Sequence, residues 1–473
     1  MIDEISIPRY IDRRRSGCTK WDNLPVKFKR QDLLPMWIAD MDFASPQCVT
    51  DALTELASSG VYGYNFPPDD YFTAFINWQK EQHGLELQRE WLFFAPGLVP
   101  ALNWCIQIYS QPGAGVVLLT PVYYPMLDAV RNNGRRLLAC DLHNENGRYT
   151  IDFTALEDIF RREKPQLLIL CSPHNPCGRV WTKEELSRLL SLCRRYQVLV
   201  IADEIHQDLT MPGHRQIPAA TVGDYQDMLI FMTAPSKTFN LAGLQNSVVC
   251  IPDSELREKF ERFTTGIRIT YGNSFGYVAA RAAWTGGLPW LEAVRKHIWE
   301  NYLYFRDKLT AAFPRLTVSP LEGTYLVWVD FSAYVQPAQL EEFMLERCRI
   351  AVDFGHWFGK AGAGHARFNV ATSRENIEEA VGRIIAALSG LNGYYYPPDN
   401  IPAGIRFEYP APIPESPDDP PATAAINPAL DHSGHWRFFP RPPTAAVIYN
   451  NHKVPERLLL FSPIRPQYLS FRV

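Results

Sequence analysis

One lysine in this chain lies in a context that suits covalent chemistry. Lys237 follows the apolar run 228–232, which predicts a buried strand, and it is flanked by Ser236 and by the small pair Ala242 and Gly243. Active sites of α/β folds gather at the carboxyl ends of strands. A lysine there forms a Schiff base with a carbonyl group when its surroundings lower its pKa. Lone loop lysines are more often solvated, so the catalytic interpretation depends on what other segments supply.

Two acids follow the most apolar predicted strand of the chain, over residues 198–201. They are Asp203 and Glu204, and a carboxylate in that place costs free energy unless it meets a positive partner. A protonated pyridine nitrogen is such a partner, and Asp203 would keep it protonated so that the ring acts as an electron sink. His206 would hydrogen-bond a ring oxygen, although a lone histidine is more often structural.

Two further polar side chains suit the binding of a small anionic ligand. Asn175 stands between Pro173 and Pro176 in a turn directly after a predicted buried strand. Helix or turn capping is the alternative role, and the two interpretations have equal weight. Arg367 begins a later predicted strand and suits bidentate capture of a substrate carboxylate. A surface salt bridge, which contributes little to stability, is the other interpretation for this arginine.

A glycine turn and a tyrosine complete the set of candidate ligands. Gly97 lies between a predicted strand and a predicted helix, so the backbone amides of Leu98 and Val99 would hold a phosphate at the helix N-terminus. Tyr123 also follows a predicted strand and offers an aromatic face to a planar ring. Each signal by itself is weak, because glycine turns and packed tyrosines are common.

These residues need a scaffold that brings several strand ends together. Between residues 70 and 285, short apolar segments alternate with amphipathic helices, such as the one over 183–196 with a capping box from Thr182 and Glu185. Several segments are apolar on both faces, as parallel strands covered by helices are. The alternation predicts an α/β fold with a large, doubly wound, mostly parallel sheet. The strand candidates are 91–94, 116–119, 136–139, 166–170, 198–201, 229–232 and 247–251.

The pattern changes after a long amphipathic helix that begins near residue 289. Strands near 325–330 and 366–371 and helices near 336–347 and 374–388 predict a smaller α+β domain. We therefore expect four parts. They are an N-terminal segment over 1–50 that joins the small domain, a large domain over 51–288, the small domain over 289–392 and an extension over 393–473.

The extension is rich in proline. Sixteen of the 38 prolines fall between Pro397 and Pro466, which excludes long helices and central strands there. Disorder is one interpretation. However, apolar clusters such as 436–439 and 458–461 exceed what disordered segments usually carry. We favour an extended arm packed on the body or on a partner subunit.

Composition limits the classes of partner. The chain is 46% hydrophobic and 21% charged with a net charge of -4, so neither nucleic acid nor an anionic membrane is expected to bind it. The acidic N-terminus lacks a signal-peptide pattern, and no apolar run is long enough to span a membrane. Nine cysteines without a C-x-x-C pair favour reduced thiols over disulfides or a zinc site. We expect a cytoplasmic protein without a metal site.

The motifs together resemble a known family. They are Pro96-Gly-Leu-Val-Pro-Ala-Leu102, Thr120-Pro-Val-Tyr-Tyr-Pro125, Ser172-Pro-His-Asn-Pro-Cys-Gly-Arg-Val-Trp181, Asp203-Glu-Ile-His-Gln-Asp208 and Ser236-Lys-Thr-Phe-Asn-Leu-Ala-Gly-Leu244. The set is similar to fold-type I enzymes of the class I/II aminotransferase superfamily, which use pyridoxal 5'-phosphate (PLP). Pro35-Met-Trp-Ile-Ala-Asp-Met-Asp-Phe43 and the histidine of Asp203-Glu-Ile-His206 favour the MalY/PatB group of cystathionine β-lyases, or C–S lyases. The resemblance covers about residues 1–392.

The resemblance implies a role for each candidate residue. Lys237 would be the catalytic lysine that holds PLP as a Schiff base, Asp203 the partner of the pyridine nitrogen, and Arg367 the ligand of the substrate α-carboxylate. The enzyme would be a homodimer with shared active sites. The other implied PLP contacts are Asn175 and His206 at the ring's 3-oxygen, Tyr123 stacked on the ring, Leu98, Val99 and Ser236 or Thr233 at the phosphate, and Tyr64 at the phosphate of the neighbouring subunit.

Three functions are consistent with this resemblance. A C–S β-lyase would eliminate a thiol from cystathionine or another L-cysteine S-conjugate and leave pyruvate and ammonia, and we favour this function. An aminotransferase would use the same residues, whereas a regulatory or scaffold protein would keep the PLP fold for binding only. The chain departs from many relatives at Gln245, where they carry a phosphate-binding arginine eight residues after the lysine. Amides, hydroxyls and another cation would then hold the phosphate.

Overall fold

A seven-stranded sheet forms the centre of the computed structural model, which describes residues 9–391. Its strand order is β2-β10-β9-β8-β7-β3-β4, and β10 alone runs antiparallel to its neighbours. Each of the seven predicted strands overlaps one strand of this sheet, so the predicted α/β fold with a mostly parallel sheet is confirmed. The strands are β2 (Leu92–Ala95), β3 (Gly115–Thr120), β4 (Arg136–Asp141), β7 (Leu167–Cys171), β8 (Leu199–Asp203), β9 (Leu229–Thr233) and β10 (Ser247–Cys250).

The central strands are covered on both faces. All six residues of β3 are buried, and alternate residues belong to separate apolar clusters: Val116 and Leu118 to one, Val117 and Leu119 to the other. Successive side chains of a strand point to opposite faces of the sheet. The near-continuous apolar character of these strands therefore reflects two layers of helices, which leave only the strand ends available for polar chemistry.

The helix predicted over 183–196 is present as α8 (Lys183–Arg195). The predicted capping box is present at the start of α8, because the Thr182 hydroxyl accepts from the Glu185 amide and the Glu185 side chain accepts from the Thr182 amide. The helices are α1 (Thr19–Asp22), α2 (Leu24–Phe28), α3 (Gln47–Ser58), α4 (Asp69–His83), α5 (Leu98–Tyr109), α6 (Tyr124–Asn132), α7 (Phe153–Glu163), α8 (Lys183–Arg195), α9 (Pro235–Thr238), α10 (Ser254–Gly266), α11 (Ser274–Gly286), α12 (Leu288–Ala312), α13 (Leu340–Glu342) and α14 (Arg374–Ser389).

A small antiparallel sheet lies later in the chain, with strand order β11-β12-β15-β14. A separate two-stranded parallel pair joins β1 to β13, so an early segment of the chain contacts a late one. The remaining strands are β1 (Leu34–Pro35), β5 (His143–Glu145), β6 (Arg148–Thr150), β11 (Thr317–Val318), β12 (Leu326–Asp330), β13 (Ile350–Ala351), β14 (Asp353–Phe354) and β15 (His365–Asn369).

The helix predicted over 336–347 is present, but it is not a regular α-helix. A 3₁₀ turn over Pro337–Gln339 is followed by one α-helical turn and then by a π-helical turn over Phe343–Cys348. Such turns interrupt the regular hydrogen-bond ladder, and residue periodicity does not distinguish them from an α-helix. The domain boundaries at residues 50, 288 and 392 stay predictions, and the extension over 393–473 lies outside the described residues.

Across residues 9–391, no helix has the length and apolar content to cross a membrane. The same part of the chain contains no cluster of three or more histidine, cysteine or acidic side chains that could hold a metal ion. All nine cysteines lie in it, and all nine are free thiols.

Candidate active site

A cavity of about 710 Å³ opens at the carboxyl ends of the parallel strands. Its size is that of a typical small-molecule site. Both sheets contribute to its wall, since Asp203 ends β8 and Arg367 lies on β15. Nine of the eleven predicted site residues line it: Leu98, Val99, Tyr123, Asn175, Asp203, His206, Ser236, Lys237 and Arg367.

Strand topology explains why most of these residues meet. Strands β3, β7, β8 and β9 are mutually parallel, and β2 has the same direction because β10 is antiparallel to both β2 and β9. Their carboxyl ends therefore lie at one edge of the sheet. Each end leads within a few residues to a functional group: Leu98 after β2, Tyr123 after β3, Asn175 after β7, Asp203 in β8 and Lys237 after β9.

Lys237 is held in place from both sides. It lies in the single turn α9, where the hydroxyl of the next residue, Thr238, donates to the buried carboxylate of Asp208 at 2.7 Å. Its own Nζ donates to the backbone carbonyl oxygen of Ala39 at 2.6 Å. The amine is thus directed into the cavity and is not a solvated loop side chain.

The electrostatic environment of Lys237 favours the neutral amine. Burial lowers the pKa of Lys237, and the nearby Arg367 guanidinium lowers it further, whereas Asp40 and Asp203 act in the opposite direction. A lowered pKa increases the fraction of unprotonated amine, which is the form that acts as nucleophile or base.

The segment that supplies the Ala39 carbonyl is itself fixed. Asn369 donates from Nδ2 to the carbonyl oxygens of Ile38 and Asp40 at 2.8 and 2.7 Å. A fully buried ion pair between Lys20 and Asp42, at 2.7 Å, anchors the same segment from the other side. Sequence reasoning missed this contribution to the site, although the two acids after the apolar run 34–39 were the available signal.

The pKa of the Asp203 carboxyl group is shifted toward neutrality. Its carboxylate accepts from the amide of Ile205 at 3.1 Å, and burial raises the pKa of Asp203 to about 7, against the lowering effects of that hydrogen bond and of Lys237. A buried carboxyl group in this condition gains from a cationic ligand, which would return its pKa to the acidic range.

His206 is neutral and has an unused ring nitrogen. Burial lowers the pKa of His206 to about 3, and the positive charges of Lys237 and Arg367 add to the effect. Its Nδ1 is buried and has no hydrogen-bond partner among residues 9–391. Leaving a buried polar atom unmatched costs about 1–3 kcal/mol, and the residue itself lines the cavity.

Arg367 is bound by two buried partners. Its Nη1 donates to Oδ1 of Asn175 at 2.8 Å, and its Nη2 makes a short ion pair with Asp353. Burial raises the pKa of Asp353, while Arg367 lowers it. Sequence reasoning missed Asp353, although an acid inside the apolar run 350–354 would have indicated a buried carboxylate. The surface salt bridge considered for Arg367 is excluded, since its side chain is only 2% exposed.

The α5 end of the cavity suits an anion. Gly97 precedes this twelve-residue helix, and no side chain in the described part of the chain caps it. The amides of Leu98 and Val99 therefore begin the helix beside the cavity, where its dipole favours negative charge. Ser236 and Gln245 also line the cavity.

The cationic side chains of the cavity are engaged elsewhere. Among the described lining residues these are Arg13, Lys237 and Arg367. Arg13 pairs with Asp40, Lys237 donates to a backbone carbonyl, and Arg367 pairs with Asp353. Gln245 stands where many relatives carry an arginine. Within residues 9–391, every lysine and arginine that lines the cavity is already engaged, so none of them replaces that arginine.

Two predicted site residues lie apart from the cavity wall. Thr233 is buried in β9, and its hydroxyl donates to the carbonyl oxygen of Glu204 at 3.1 Å. Tyr64 lies in an irregular segment and is fully exposed. Their predicted phosphate contacts, the second of which requires a neighbouring subunit, stay predictions.

Comparisons with known proteins show the family of this chain. The profile of the family "Aminotransferase class I and II" matches residues 32–384. The chain is 38% identical to cystathionine beta-lyase PatB of Bacillus subtilis over 380 residues, covering 80% of this chain and 98% of PatB. It is 31% identical to protein MalY of Escherichia coli over 388 residues, covering 81% and 98% of the two chains.

A solved structure gives the same result for the fold. The crystal structure of cystalysin from Treponema denticola, which contains a pyridoxal 5'-phosphate cofactor, superimposes with a TM-score of 0.79 at 33% identity. The match covers 82% of this chain and 99% of cystalysin.

Proposed function

Because this chain belongs to the family of class I and II aminotransferases and is a PLP-dependent enzyme, we propose that it is a C–S β-lyase acting on L-cysteine S-conjugates such as cystathionine. One structural observation carries the proposal. The partly buried amine of Lys237 and the buried carboxyl of Asp203 lie at adjacent parallel strand ends and line one cavity. The likeness to PatB supports elimination over transamination.

The residues present fit PLP. The unpaired Nδ1 of His206 and the carboxyl of Asp203 provide polar atoms that lack a sufficient partner within the described chain. The uncapped α5 N-terminus with Leu98 and Val99 suits a phosphate, together with the Ser236 hydroxyl. When bound, PLP supplies an electron sink for negative charge that develops at the substrate's Cα.

Binding of the substrate falls to Arg367. Its guanidinium takes the α-carboxylate, and Asn175 and Asp353 hold it in a fixed orientation. Tyr123 provides an aromatic wall, and burial raises the pKa of its hydroxyl, so the ring stays uncharged. A substrate held in this way presents its Cα to a base at a defined position.

Proton transfer falls to Lys237. Its amine takes the proton from Cα, and its lowered pKa favours the unprotonated form that acts as the base. Asp203 would keep the pyridine nitrogen of bound PLP protonated, and His206 and Asn175 would hold the cofactor at the ring's 3-oxygen. The Cβ–S bond then breaks, and the sulfur leaves with both bonding electrons as a thiolate. Overall, an S-conjugate of cysteine and water give a thiol, pyruvate and ammonia.

The test is product formation without an amino acceptor. Purified enzyme should release pyruvate and homocysteine from L-cystathionine in equal amounts with no 2-oxo acid added. Lys237→Ala is the negative control. Activity that appears only after a 2-oxo acid is supplied would identify an aminotransferase instead.

The active enzyme is a homodimer in this proposal. Large apolar side chains are exposed at Val61, Tyr62, Tyr64 and Phe66, and exposed apolar surface of this kind is typical of subunit interfaces. In this dimer, the Tyr64 hydroxyl of one subunit would bind the PLP phosphate in the other subunit. It would provide a phosphate ligand in place of the arginine that many relatives carry at the Gln245 position.

Two measurements test the dimer. Light scattering should give a mass near twice 54.0 kDa. Tyr64→Phe should weaken PLP binding and leave the mass unchanged, because only the hydroxyl is lost. A monomeric mass with unaltered PLP affinity would contradict both points.

The cytoplasm is the compartment that we propose. All nine cysteines are free thiols, which suits a reducing environment.

We retain the division into a large domain over 51–288 and a small domain over 289–392, with residues 1–50 joining the latter. The pairing of β1 with β13 supports this last point.

A further inference from the structure

An ion pair lies on the cavity wall with no role in the chemistry described above. Arg13 donates from Nη1 to Oδ2 of Asp40 at 2.6 Å, and both residues line the cavity. Their side chains are 25% and 22% exposed, in contrast to the buried pair of Arg367 and Asp353 at 2% and 1%. The first pair therefore lies where the cavity meets solvent, whereas the second lies at its closed end.

Asp40 is close to the reacting centre and is rigidly placed. It follows Ala39, whose carbonyl oxygen accepts from Lys237, and its charge raises the pKa of that amine. Its backbone carbonyl accepts from Asn369 at 2.7 Å and from Lys20 at 3.2 Å. The backbone of Asp40 is thus fixed, and its side chain lines the same cavity as Lys237.

Arg13 keeps much of its binding capacity. Nη1 makes both of its hydrogen bonds, to Asp40 and to the carbonyl oxygen of Met41 at 3.1 Å. Within residues 9–391, Nε and Nη2 have no hydrogen-bond partner, and neither has Oδ1 of Asp40. The Nε and Nη2 pair is one of the forks through which a guanidinium binds a carboxylate bidentately.

We infer that Arg13 and Asp40 recognise a zwitterionic amino-acid group at the distal end of the substrate, an inference that rests on the proposed lyase function. Arg13 binds the distal carboxylate, and Asp40 binds the distal ammonium. The ion pair is preorganised for such a group. Each side chain neutralises the other in the free enzyme, and each keeps hydrogen-bonding atoms without a partner in the described residues: Nε and Nη2 of Arg13 and Oδ1 of Asp40. Arg13 and Asp40 are specificity residues here, and the preferred substrates are thioethers of cysteine that carry a second amino acid.

Four thioethers of equal chain length separate the two contacts. L-Cystathionine carries both distal charges, S-(3-carboxypropyl)-L-cysteine only the carboxylate, S-(3-aminopropyl)-L-cysteine only the ammonium, and S-propyl-L-cysteine neither. Their carba analogues, with a methylene in place of sulfur, cannot lose a thiolate. Dissociation constants for these analogues come from the change in cofactor absorbance on titration of the holoenzyme, independently of any elimination.

Arg13→Gln should weaken binding of the carboxypropyl analogue relative to the propyl analogue by about tenfold or more, the loss expected for charge-assisted hydrogen bonds. Asp40→Asn should do the same for the aminopropyl analogue. Arg14→Gln is the matched control, since Arg14 is an exposed neighbour that pairs with Asp12 and does not line the cavity. Arg13→Lys, which keeps the charge without the fork, serves if Arg13→Gln does not fold.

The outcomes separate the two proposals. Relative affinities that stay within twofold of wild type in Arg13→Gln and Arg13→Lys would overturn the inference, even if pyruvate is released from every thioether. Selective loss of the charged analogues with no pyruvate from any thioether would support the inference and contradict the lyase function.

Discussion

The amine of Lys237 donates to the carbonyl oxygen of Ala39, which lies 198 residues earlier in the chain, at 2.6 Å. This bond joins the helical turn α9, which follows β9 of the central sheet, to a segment that Asn369 of the small antiparallel sheet also holds. Two separate parts of the chain therefore determine where the amine lies. Since the segment over residues 38–40 also lines the cavity, its position decides both the reach of Lys237 and the shape of the substrate site.

Replacement of the lysine should remove both the covalent attachment of the cofactor and the catalytic base. Lys237→Ala is expected to abolish the visible absorbance band of lysine-bound PLP and to lower kcat by at least about 100-fold. Absorbance spectra and pyruvate assays measure the two effects. Lys259→Ala, at an exposed position, is the control and should match wild type. A band that persists in Lys237→Ala would assign the attachment to another lysine.

Cofactor affinity should fall below about pH 7 because of Asp203. In the free protein burial raises the pKa of Asp203 to about 7, whereas a bound pyridinium favours the carboxylate. Below pH 7, PLP binding must therefore displace the proton from the Asp203 carboxyl. For this reason the dissociation constant for PLP rises by up to about tenfold for each unit by which the pH falls. Fluorescence titration of the apoprotein with PLP between pH 5 and 8 measures it.

The control for this pH dependence is Asp203→Asn, which cannot titrate. The variant should bind PLP more weakly than wild type at pH 8, and the difference between the two proteins should shrink as the pH falls. Because Lys237 and the phosphate titrate in both proteins, only this difference reports on Asp203. Parallel pH profiles would assign the dependence to the other groups.

The fork of Arg367, and not only its charge, should matter for substrate binding. Arg367→Lys loses the contacts to Asn175 and Asp353 and the bidentate geometry, so KM is expected to rise by about 100-fold. The cofactor band should stay, since PLP attachment does not depend on this residue. Arg347→Lys, at an exposed position, provides the control. An unchanged KM would place the α-carboxylate at another residue.

A buried acid next to the site should make the protein less stable as pH rises. Glu204 is fully buried, one of its oxygens accepts from the Ala219 amide at 2.8 Å, and burial raises its pKa to about 8. The folded protein keeps this proton while the unfolded chain loses it above about pH 4.5. Stability from this group is therefore complete below pH 4.5 and declines up to about pH 8, by on the order of 5 kcal/mol.

Glu204→Gln tests this decline, because the amide keeps the shape and does not titrate. The melting temperature of the variant should rise relative to wild type between pH 5 and 8. Titrating groups that do not interact with Glu204 cancel in the comparison. Glu258→Gln, at an exposed position, should show no such trend. A constant difference in melting temperature over this range would show that Glu204 does not titrate there.

Much of the fold follows from patterns a few residues long. Strands buried on both faces must be almost wholly apolar, so β3, β7 and β9 were recognisable as segments. The polar residues directly after them were equally recognisable, because parallel strands end at one edge of the sheet. The change from a 3₁₀ to an α to a π turn within the helix over 337–348 was not recognisable, since these turns share similar local sequences.

The sequence by itself determined the parallel sheet, the motifs at its strand ends and the choice of Lys237 and Asp203 as chemical groups. Only the tertiary structure decided their partners: Ala39 for Lys237, Asp353 for Arg367, and Arg13 for Asp40. The physical reason is the separation along the chain of the residues that interact. Hydrogen bonding and side-chain alternation within an element leave a periodic signal in the sequence, whereas a contact across 198 residues depends on how the two sheets pack and leaves none.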